Sequence, residues 1–271
     1  MQSCREHEIK EVIVTGWGDD GSETSTFAIG PVLQLYAESC YVKNPSEEHV
    51  ARRLKSCMHM NYQDFLELDS INLTPDNPAP GRLSIAPSRY ILYQDLLMGL
   101  FDKHIDERTY PNHFKTCYKT LRKIADKENE YSYIFDTLAK LSNILELKCD
   151  LGIRLKKAYD GKDRIILEQI ATGECKELLD RIEDFHKALR YQWNLESKPF
   201  GFDVLDLRIG GLKERVCAAR WRIEDYLSGR IGRIEELEQE RLLLDRTENP
   251  GHRTLPVYNN NWKTMVTASI L

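Results

Sequence analysis

The residues best suited to chemistry lie in one short turn near the N-terminus. The run Val12-Ile-Val-Thr15 is apolar and β-branched without a helical period, which is typical of a strand buried on both faces. Glycines follow at positions 16, 18 and 21, and Trp17, Asp19 and Asp20 lie between them. An indole can cover the apolar C–H face of a sugar ring while carboxylates accept hydrogen bonds from its hydroxyls. Since ligands of α/β folds lie at the carboxyl ends of strands, this N-terminal turn (residues 16–21) is a candidate sugar site.

Two other interpretations start from the same residues. The plainer one packs Trp17 beneath a glycine-rich turn and leaves the acidic side chains in solvent. The other notes that the three glycines match the spacing of a dinucleotide-binding loop, G-x-G-x-x-G. Asp19 and Asp20 would repel a pyrophosphate there, because its oxygens must approach backbone N–H groups. We therefore discard the dinucleotide loop and keep the buried indole as the alternative to a sugar site.

A second acidic pair occurs in His104-Ile-Asp-Glu107. Hydrolases of acetamido sugars use neighbouring Asp and Glu residues, one to orient the acetamide and one as acid/base. Here the pair follows an apolar helical run and precedes Pro111, and no buried strand leads into it. We interpret it as a polar helix end rather than a catalytic pair.

The sequence lacks the residue spacings that a catalytic nucleophile or a metal site requires. The sequence has no G-x-S-x-G turn, and its histidines are dispersed. The seven cysteines are scattered, odd in number and never spaced C-x-x-C, which argues against a zinc site and indicates free thiols in a reduced compartment. We predict no catalytic residue, no metal ligand and no cofactor in this chain, and a cytoplasmic location.

Composition narrows the class of protein. The 271 residues are 30% charged and 41% hydrophobic with a net charge of −5, as in soluble globular chains. Lys and Arg are mixed among the acids, so we expect no nucleic-acid partner. No apolar run approaches the ~20 residues that span a bilayer, and the N-terminus has no signal-peptide pattern, so we expect no membrane partner.

The elements that must position the N-terminal turn are predicted to form one strand–turn–helix unit. A helix is predicted over 26–41, a second from the N-cap Ser46 towards Cys57, and a short one over 62–68. Residues 74–88 hold four of the ten prolines and indicate a linker. The turn is therefore expected to belong to one βα unit of a larger α/β domain.

Beyond the linker the pattern is helical. Apolar stripes predict helices over 90–105, 112–127 and 130–159, and then a long hairpin whose turn is 196–201 and whose returning helix runs over 203–244. Gly210 and Gly211 fall inside that helix, which indicates a close-packed neighbouring helix or chain, and less strongly a ligand. Residues 262–271 are strand-like and could return to the α/β part or lie along the helices.

Taken together, these segments resemble a known family. The stretch 14–23, followed by Leu33-Gln-Leu-Tyr-Ala-Glu38, resembles the last barrel strand of certain bacterial β-N-acetylhexosaminidases of glycoside hydrolase family 20. Residues 90–102, 198–212 and 226–229 resemble the helical C-terminal domain that follows that barrel in one subgroup. The fold class is accordingly mainly α: a multi-helix domain with a long hairpin (89–271), a Pro-rich linker (74–88), and a βα remnant of a TIM barrel (1–73).

The resemblance implies an enzyme that releases terminal N-acetylglucosamine or N-acetylgalactosamine with retention, the substrate's own acetamide acting as the nucleophile. By motif match, Trp17 would be the aromatic platform for the terminal sugar, Asp19 would receive its hydroxyls, and Asp20 is a second candidate. A complete barrel needs about 250 residues, and the family's catalytic Asp-Glu pair lies on earlier strands. The chain is therefore expected to be a C-terminal fragment or isolated domain that is inactive by itself, with residues 11–16 disordered or paired with another chain or with the tail.

Two other classes of function remain as alternatives. One is a non-catalytic helical interaction or dimerisation module whose N-terminal strand pairs with a partner. The other is a carbohydrate-binding module, which one aromatic face and one or two acids seldom support. In the favoured interpretation the helical domain braces the barrel, and we expect a homodimer.

Overall fold

The computed structural model describes residues 2–16, 23–75 and 86–243, which are mainly helical and contain no β-strand. The α-helices are α1 (Gln2–Glu6), α2 (Gly30–Tyr41), α3 (Glu47–Met58), α4 (Tyr62–Leu66), α5 (Pro87–Tyr93), α6 (Tyr110–Ala125), α7 (Ser132–Lys148), α8 (Leu151–Asp160), α9 (Arg164–Gln169), α10 (Cys175–Glu196), α11 (Phe202–Ser228) and α12 (Glu235–Glu238). Short 3₁₀ helices cover Thr26–Ile29, Glu67–Asn72 and Asp102–His104, and a π-helical turn, Ile170–Glu174, joins α9 to α10.

Helix α7 lies at the centre of the core. It packs against α6 on one side and against α10 on another, and α10 in turn packs against α11. Its apolar residues are buried around most of its circumference, as expected of a helix surrounded by other helices. The predicted mainly α class is therefore confirmed.

The long hairpin is also confirmed, with its turn where the sequence placed it. Helix α10 ends at Glu196 and α11 begins after Gly201, whose φ of +94° is open to glycine without strain. The returning helix is shorter than the predicted 203–244. It ends at Ser228 because Gly229 adopts a left-handed conformation (φ +77°) and its N–H caps the last turn.

The helix predicted over 90–105 is wrong in length. Helix α5 begins earlier, at Pro87, and ends at Tyr93. The Gln94 side chain accepts from the Phe101 amide at 2.5 Å and donates to Asp102 at 3.1 Å, which closes residues 94–102 into a loop. Lys148, fully buried on α7, donates to the carbonyls of Ile91 and Gln94 at 2.8 and 2.5 Å. These distant side chains satisfy backbone groups that a longer helix would have used.

The helix predicted over 130–159 is divided in two. Helix α7 ends at Lys148, α8 begins at Leu151, and Asp150 between them has φ −112° and ψ −2°. The break brings Gly152 against the 94–102 loop, where a Cβ on Gly152 would lie 3.1 Å from the Leu96 carbonyl. The predicted end at the Asp160-Gly161 pair is confirmed.

The N-terminal segment differs most from its prediction. Residues 12–15 form no strand among the described residues, and Ile13 is 88% exposed rather than buried. Helix α2 begins within the predicted range after the 3₁₀ turn, and Ser46 caps α3 by accepting from the His49 amide at 3.2 Å, as predicted. The strand prediction fails because residues 12–15 have no neighbouring strand in the described chain.

Helix α2 is amphipathic, but its polar side is buried and its apolar side is exposed. Its buried face is polar: Glu38 accepts from Gln34 and Arg53 at 2.8 and 2.9 Å and contacts His49 Nε2 at 2.7 Å. These hydrogen bonds hold the pKa of Glu38 below its ordinary value. The apolar residues of α2 point outward instead, and Val32 is 62% exposed.

Gly210 and Gly211 do not pack closely against a neighbour in the described chain. A Cβ at either position would meet nothing within 4 Å, and both residues are exposed. The expected close contact with another helix of the same chain is therefore wrong. Contact with another chain stays a prediction.

The predicted linker and tail fall partly on residues that are not described. Of 74–88, the structure describes Thr74, which is buried, Pro75, which is exposed, and residues 86–88, of which Pro87 and Ser88 begin α5. Residues 262–271 lie outside the described ranges. The domain boundary at 74 stays a prediction, while Leu54, Phe65 and Leu68 share one hydrophobic core with the later helices.

In the described part of the chain, no helix combines the length and apolar character that crossing a bilayer requires.

Candidate functional site

The predicted sugar-contacting residues Trp17, Asp19 and Asp20 lie outside the described residues. The described chain stops at Gly16 and resumes at Glu23, so the structure gives the two flanks of the N-terminal turn. The contacts of these two flanks fix the points between which the turn runs.

The downstream flank is held by a buried carboxylate. Glu23 is 4% exposed, and its Oε1 accepts from the Tyr93 hydroxyl at 2.6 Å. Its Oε2 accepts from Arg89 through Nε at 2.8 Å and Nη2 at 2.7 Å. Arg89 and Tyr93 lie four residues apart on α5, so one helix face presents both donors. We call Glu23, Arg89 and Tyr93 the Glu23 cluster.

Electrostatics in the Glu23 cluster depend on its burial. Tyr93 is fully buried, and burial together with the Glu23 charge raises its pKa well above the ordinary value. Tyr93 is therefore a hydroxyl donor at neutral pH, while Arg89 supplies the charge that balances Glu23. Tyr93 donates to one carboxylate oxygen and Arg89 to the other, and these charge-assisted hydrogen bonds fix the orientation of the Glu23 side chain.

A second carboxylate holds the next residues of the same flank. Glu196, the last residue of α10, accepts from the Ser25 hydroxyl at 2.5 Å and from the Thr26 amide at 3.0 Å. The Ser25 oxygen also accepts from the Phe27 amide at 3.1 Å and caps the 3₁₀ turn. Burial and Glu196 together raise the pKa of the Tyr133 phenol. Residues 23–27 are thus attached to both α5 and α10.

The upstream flank rests on α2. The Tyr36 hydroxyl donates to the Val12 carbonyl at 2.9 Å. A Cβ at Gly16 would lie 2.9 Å from the Ile29 Cδ1, so the backbone passes close to the start of α2. Both flanks of the turn therefore contact helices of this chain.

A cavity of about 340 Å³ lies beside the downstream flank. Its walls are apolar side chains of α2, α7 and the 3₁₀ helix Glu67–Asn72, and its polar edge includes Glu23, Asp69 and Asn72. Burial raises the pKa of Asp69. The cavity is a depression with apolar walls and a polar edge, and it lies beside residues 23 and 24.

The rejected acidic pair has structural partners. Glu107 accepts from Lys157 at 2.5 and 2.7 Å, and Asp106 accepts from the Arg108 amide at 3.0 Å ahead of α6. His104 is buried. The pair lies in the turn between the 3₁₀ helix Asp102–His104 and α6 rather than at the end of the helix predicted over 90–105, and its non-catalytic assignment stays a prediction.

The described residues contain neither a disulfide nor a cluster of metal-ligating side chains. All seven cysteines, each within a described range, are free. Across 2–16, 23–75 and 86–243, no group of three His, Cys, Asp or Glu side chains converges as a metal site.

Sequence reasoning missed Arg89, Tyr93 and Glu196 as parts of the site. Arg89 is 66 residues from Glu23, and Glu196 is 171 residues from Ser25. The spacing of Arg89 and Tyr93 by four residues was visible, but nothing in the sequence indicated their shared partner.

Most of the chain matches the model of a known family. The model of the glycoside hydrolase 20C C-terminal domain matches residues 63–255, which include Arg89, Tyr93 and Glu196 but not the N-terminal turn. No curated protein matches the chain. Because the match covers most of the sequence and the described residues are helical as the resemblance implied, the chain belongs to the glycoside hydrolase 20C C-terminal domain family.

Proposed function

We propose that this chain is the C-terminal part of a β-N-acetylhexosaminidase that removes terminal N-acetylglucosamine or N-acetylgalactosamine by substrate-assisted, retaining hydrolysis. The family match over residues 63–255 carries the proposal. In this proposal residues 1–73 form the last βα unit of the catalytic barrel, 74–88 the linker and 89–271 the helical domain. The catalytic Asp-Glu pair belongs to the rest of the barrel, so this chain supplies binding residues only.

The N-terminal turn would contribute to the subsite for the terminal sugar. Trp17 would cover the apolar face of the pyranose ring, and Asp19 would accept hydrogen bonds from its hydroxyls, with Asp20 as a second acceptor. The buried Glu23 cluster and the Glu196 contacts support this proposal, because they hold the flank of the turn on the helical domain.

The exposed apolar face of α2 supports the proposal that further barrel elements pack against this helix. Val32 and Leu35 are exposed on α2, and Ile13 is exposed on the preceding segment. A surface that buries polar groups and exposes contiguous apolar ones is typical of an interaction surface. In the proposal, adjoining strands and helices of the barrel cover this face.

Hydrolysis of a chromogenic N-acetyl-β-D-glucosaminide tests the proposal. The chain alone is expected to give no turnover, whereas the longer protein that carries the rest of the barrel is active. In that longer protein, Trp17→Ala should lower kcat/KM by about 100-fold, since it removes the sugar platform. Phe200→Ala, which truncates an 83% exposed aromatic side chain in the turn between α10 and α11, is the matched control. Turnover by the chain alone, or an unchanged kcat/KM in Trp17→Ala, would contradict the proposal.

The alternative is a non-catalytic helical interaction or dimerisation module, and one observation favours self-association. Leu207, Gly211 and Trp221 are exposed along one side of α11, and Trp221 is 47% exposed. We therefore propose a homodimer, either of the enzyme or of the module. The free cysteines support a reduced compartment, for which we propose the cytoplasm.

A further inference from the structure

An arginine, and not its leucine neighbours, is buried at the end of the segment that follows α11. We call this segment, residues 229–243, the C-terminal arm. Arg241 is 8% exposed, whereas Leu242 is 66% exposed and Leu243 is 39% exposed. Leucine is usually buried, and arginine is rarely buried unless it is paired. The burial of Arg241 therefore reflects recognition of its guanidinium group and not the removal of apolar surface from water.

All three nitrogens of this guanidinium group have an acceptor. Nε of Arg241 donates to Asp102 Oδ2 at 3.0 Å, and Nη2 donates to the Leu97 carbonyl at 2.6 Å. Nη1 donates to the Glu236 carbonyl of the arm itself at 3.3 Å. Because a guanidinium group presents its N–H donors in a rigid planar fork, acceptors on several of its sides favour it over an ammonium group.

The loop 94–102 has the features of a formed site for this group. Gln94 donates to Asp102 Oδ1 at 3.1 Å and so orients the carboxylate, which is 7% exposed. Gly99 has φ +53°, and a Cβ there would lie 2.5 Å from Arg241 Nε, so the approach of the guanidinium group requires glycine. We call this set the guanidinium site: Leu97, Gly99 and Asp102.

The earlier part of the arm is attached to a different element. The Ile234 amide donates to the Tyr159 hydroxyl at 3.0 Å, and Lys156 donates to the Leu237 carbonyl at 2.6 Å, so these contacts bind the arm to α8. Within the described stretch 238–243, Arg241 is the one buried residue. Departure of this side chain from its site can therefore free the end of the arm while the contacts to α8 remain.

We infer that the loop 94–102 is a binding site for a guanidinium group, with Arg241 as its built-in ligand, and that the end of the C-terminal arm is a latch that opens when Arg241 leaves. Once vacated, the site accepts the guanidinium group of a free ligand. The inference is independent of sugar hydrolysis, and it is tested on this chain without an activity assay.

Chemical rescue of Arg241→Ala tests the site. The substitution removes two methylene groups and the guanidinium group, and ethylguanidinium supplies the same atoms. In the variant we expect the ¹⁵N heteronuclear NOE of Leu242 to fall, since the end of the arm gains fast motion. Millimolar ethylguanidinium should bind saturably and protect the Phe101 and Asp102 amides, by about tenfold at ten times its dissociation constant. Ethylammonium, which has the charge without the planar fork, should not protect them.

Hydrogen exchange separates a latch from general destabilisation. The Phe101 amide donates to Gln94 and the Asp102 amide to the Gly99 carbonyl, so both report on the loop. In Arg241→Ala their exchange should become about 100-fold faster, because a buried carboxylate loses its partner. This exchange should be nearly independent of added urea, as for a local opening, while the central amides of α7 exchange through urea-dependent unfolding.

Arg215→Ala is the matched control. Arg215 also pairs with an acid of the loop, Asp95 at 2.6 Å, but its side chain is 40% exposed, so ethylguanidinium should give no saturable effect in this variant. Asp102→Asn keeps the shape of the acceptor and removes its charge. It should lower the Leu242 NOE as Arg241→Ala does, and ethylguanidinium should not restore it.

The outcomes bear separately on the site and on the latch. Equal protection by ethylammonium, or no protection by ethylguanidinium, would overturn the guanidinium site. An unchanged Leu242 NOE in Arg241→Ala, or loop exchange as dependent on urea as that of α7, would overturn the latch. If Arg241→Ala does not fold, Asp102→Asn takes its place, and an unchanged Leu242 NOE there overturns the inference.

Discussion

At the scale of single residues, side chains far apart in sequence decide the local geometry. Lys148 is the clearest case, because its buried ammonium donates to two carbonyls at the end of α5 and limits that helix. Burial lowers its pKa to about 8 from the ordinary 10.5. The sequence around residues 90–105 contains no signal for the contact with Lys148 that ends α5. The Ser46 cap, in contrast, is a local signal and was predicted.

Lys148 should make stability depend on pH. Between about pH 8 and 10.5 the unfolded chain binds a proton that the folded chain has lost, so the free energy of unfolding contributed by this residue rises with pH. The total rise is on the order of 3 kcal/mol. Urea unfolding of the wild type and Lys148→Met across this range isolates the effect, and parallel pH profiles of the two proteins would contradict it.

Two glycines form a matched pair for a stability test. Gly99 has φ +53°, and a Cβ there would lie 2.1 Å from Asp102 Oδ2 and 2.5 Å from Arg241 Nε. We expect Gly99→Ala to destabilise the fold by about 2 kcal/mol or more through backbone strain and displacement of that ion pair. Gly210→Ala, in an exposed helical position with open space, should instead stabilise it by about 0.5–1 kcal/mol. Equal effects of the two substitutions in urea unfolding would contradict this account.

At the scale of elements, amphipathic stripes predicted the helices that build the core. The stripes that begin at Phe114, Ile134 and Leu178 correspond to α6, α7 and α10. Helix ends were predicted where a glycine or an N-cap residue marks them, as at Gly161 and Ser46. The ends at Tyr93 and Lys148 were missed because they depend on packing between segments.

Helix α2 allows a prediction about the missing neighbour. Since Val32 and Leu35 are exposed, replacing both with Ser should change the stability of this chain by no more than about 0.5 kcal/mol each. In the longer protein the same pair should lower the melting temperature, because the barrel would cover them. Leu54→Ala is the control: Leu54 is fully buried, and its truncation should cost about 2–5 kcal/mol in both proteins. Thermal melts of the two proteins that respond alike to the Ser pair would count against a covered face.

At the scale of the whole molecule, the helical class was predictable from the sequence and the candidate site only in part. The resemblance predicts sugar-binding residues at Trp17 and Asp19. The attachment of the downstream flank, residues 23–26, to the helical domain depends on contacts over 66 and 171 residues and could not be predicted. A strand predicted from residues 12–15 needs neighbours to form, and the described chain provides none.

Self-association belongs to this scale as well. If the exposed side of α11 forms the homodimer, Trp221→Glu should convert the dimer to monomer by placing a charge in an apolar contact. Sedimentation equilibrium measures the change, with Tyr191→Glu, on the exposed side of α10, as the control. A dimer that persists in Trp221→Glu would place the interface elsewhere.

The most direct test of the central claim reconstitutes the enzyme from two polypeptides. The rest of the barrel, produced without residues 1–271, is mixed with this chain, and hydrolysis of a chromogenic N-acetyl-β-D-glucosaminide is measured. The account predicts no turnover by either polypeptide alone, turnover by the mixture, and a large loss when the added chain carries Trp17→Ala or Asp19→Asn. Full activity of the barrel polypeptide without this chain, or equal activity with the variant chains, would contradict it.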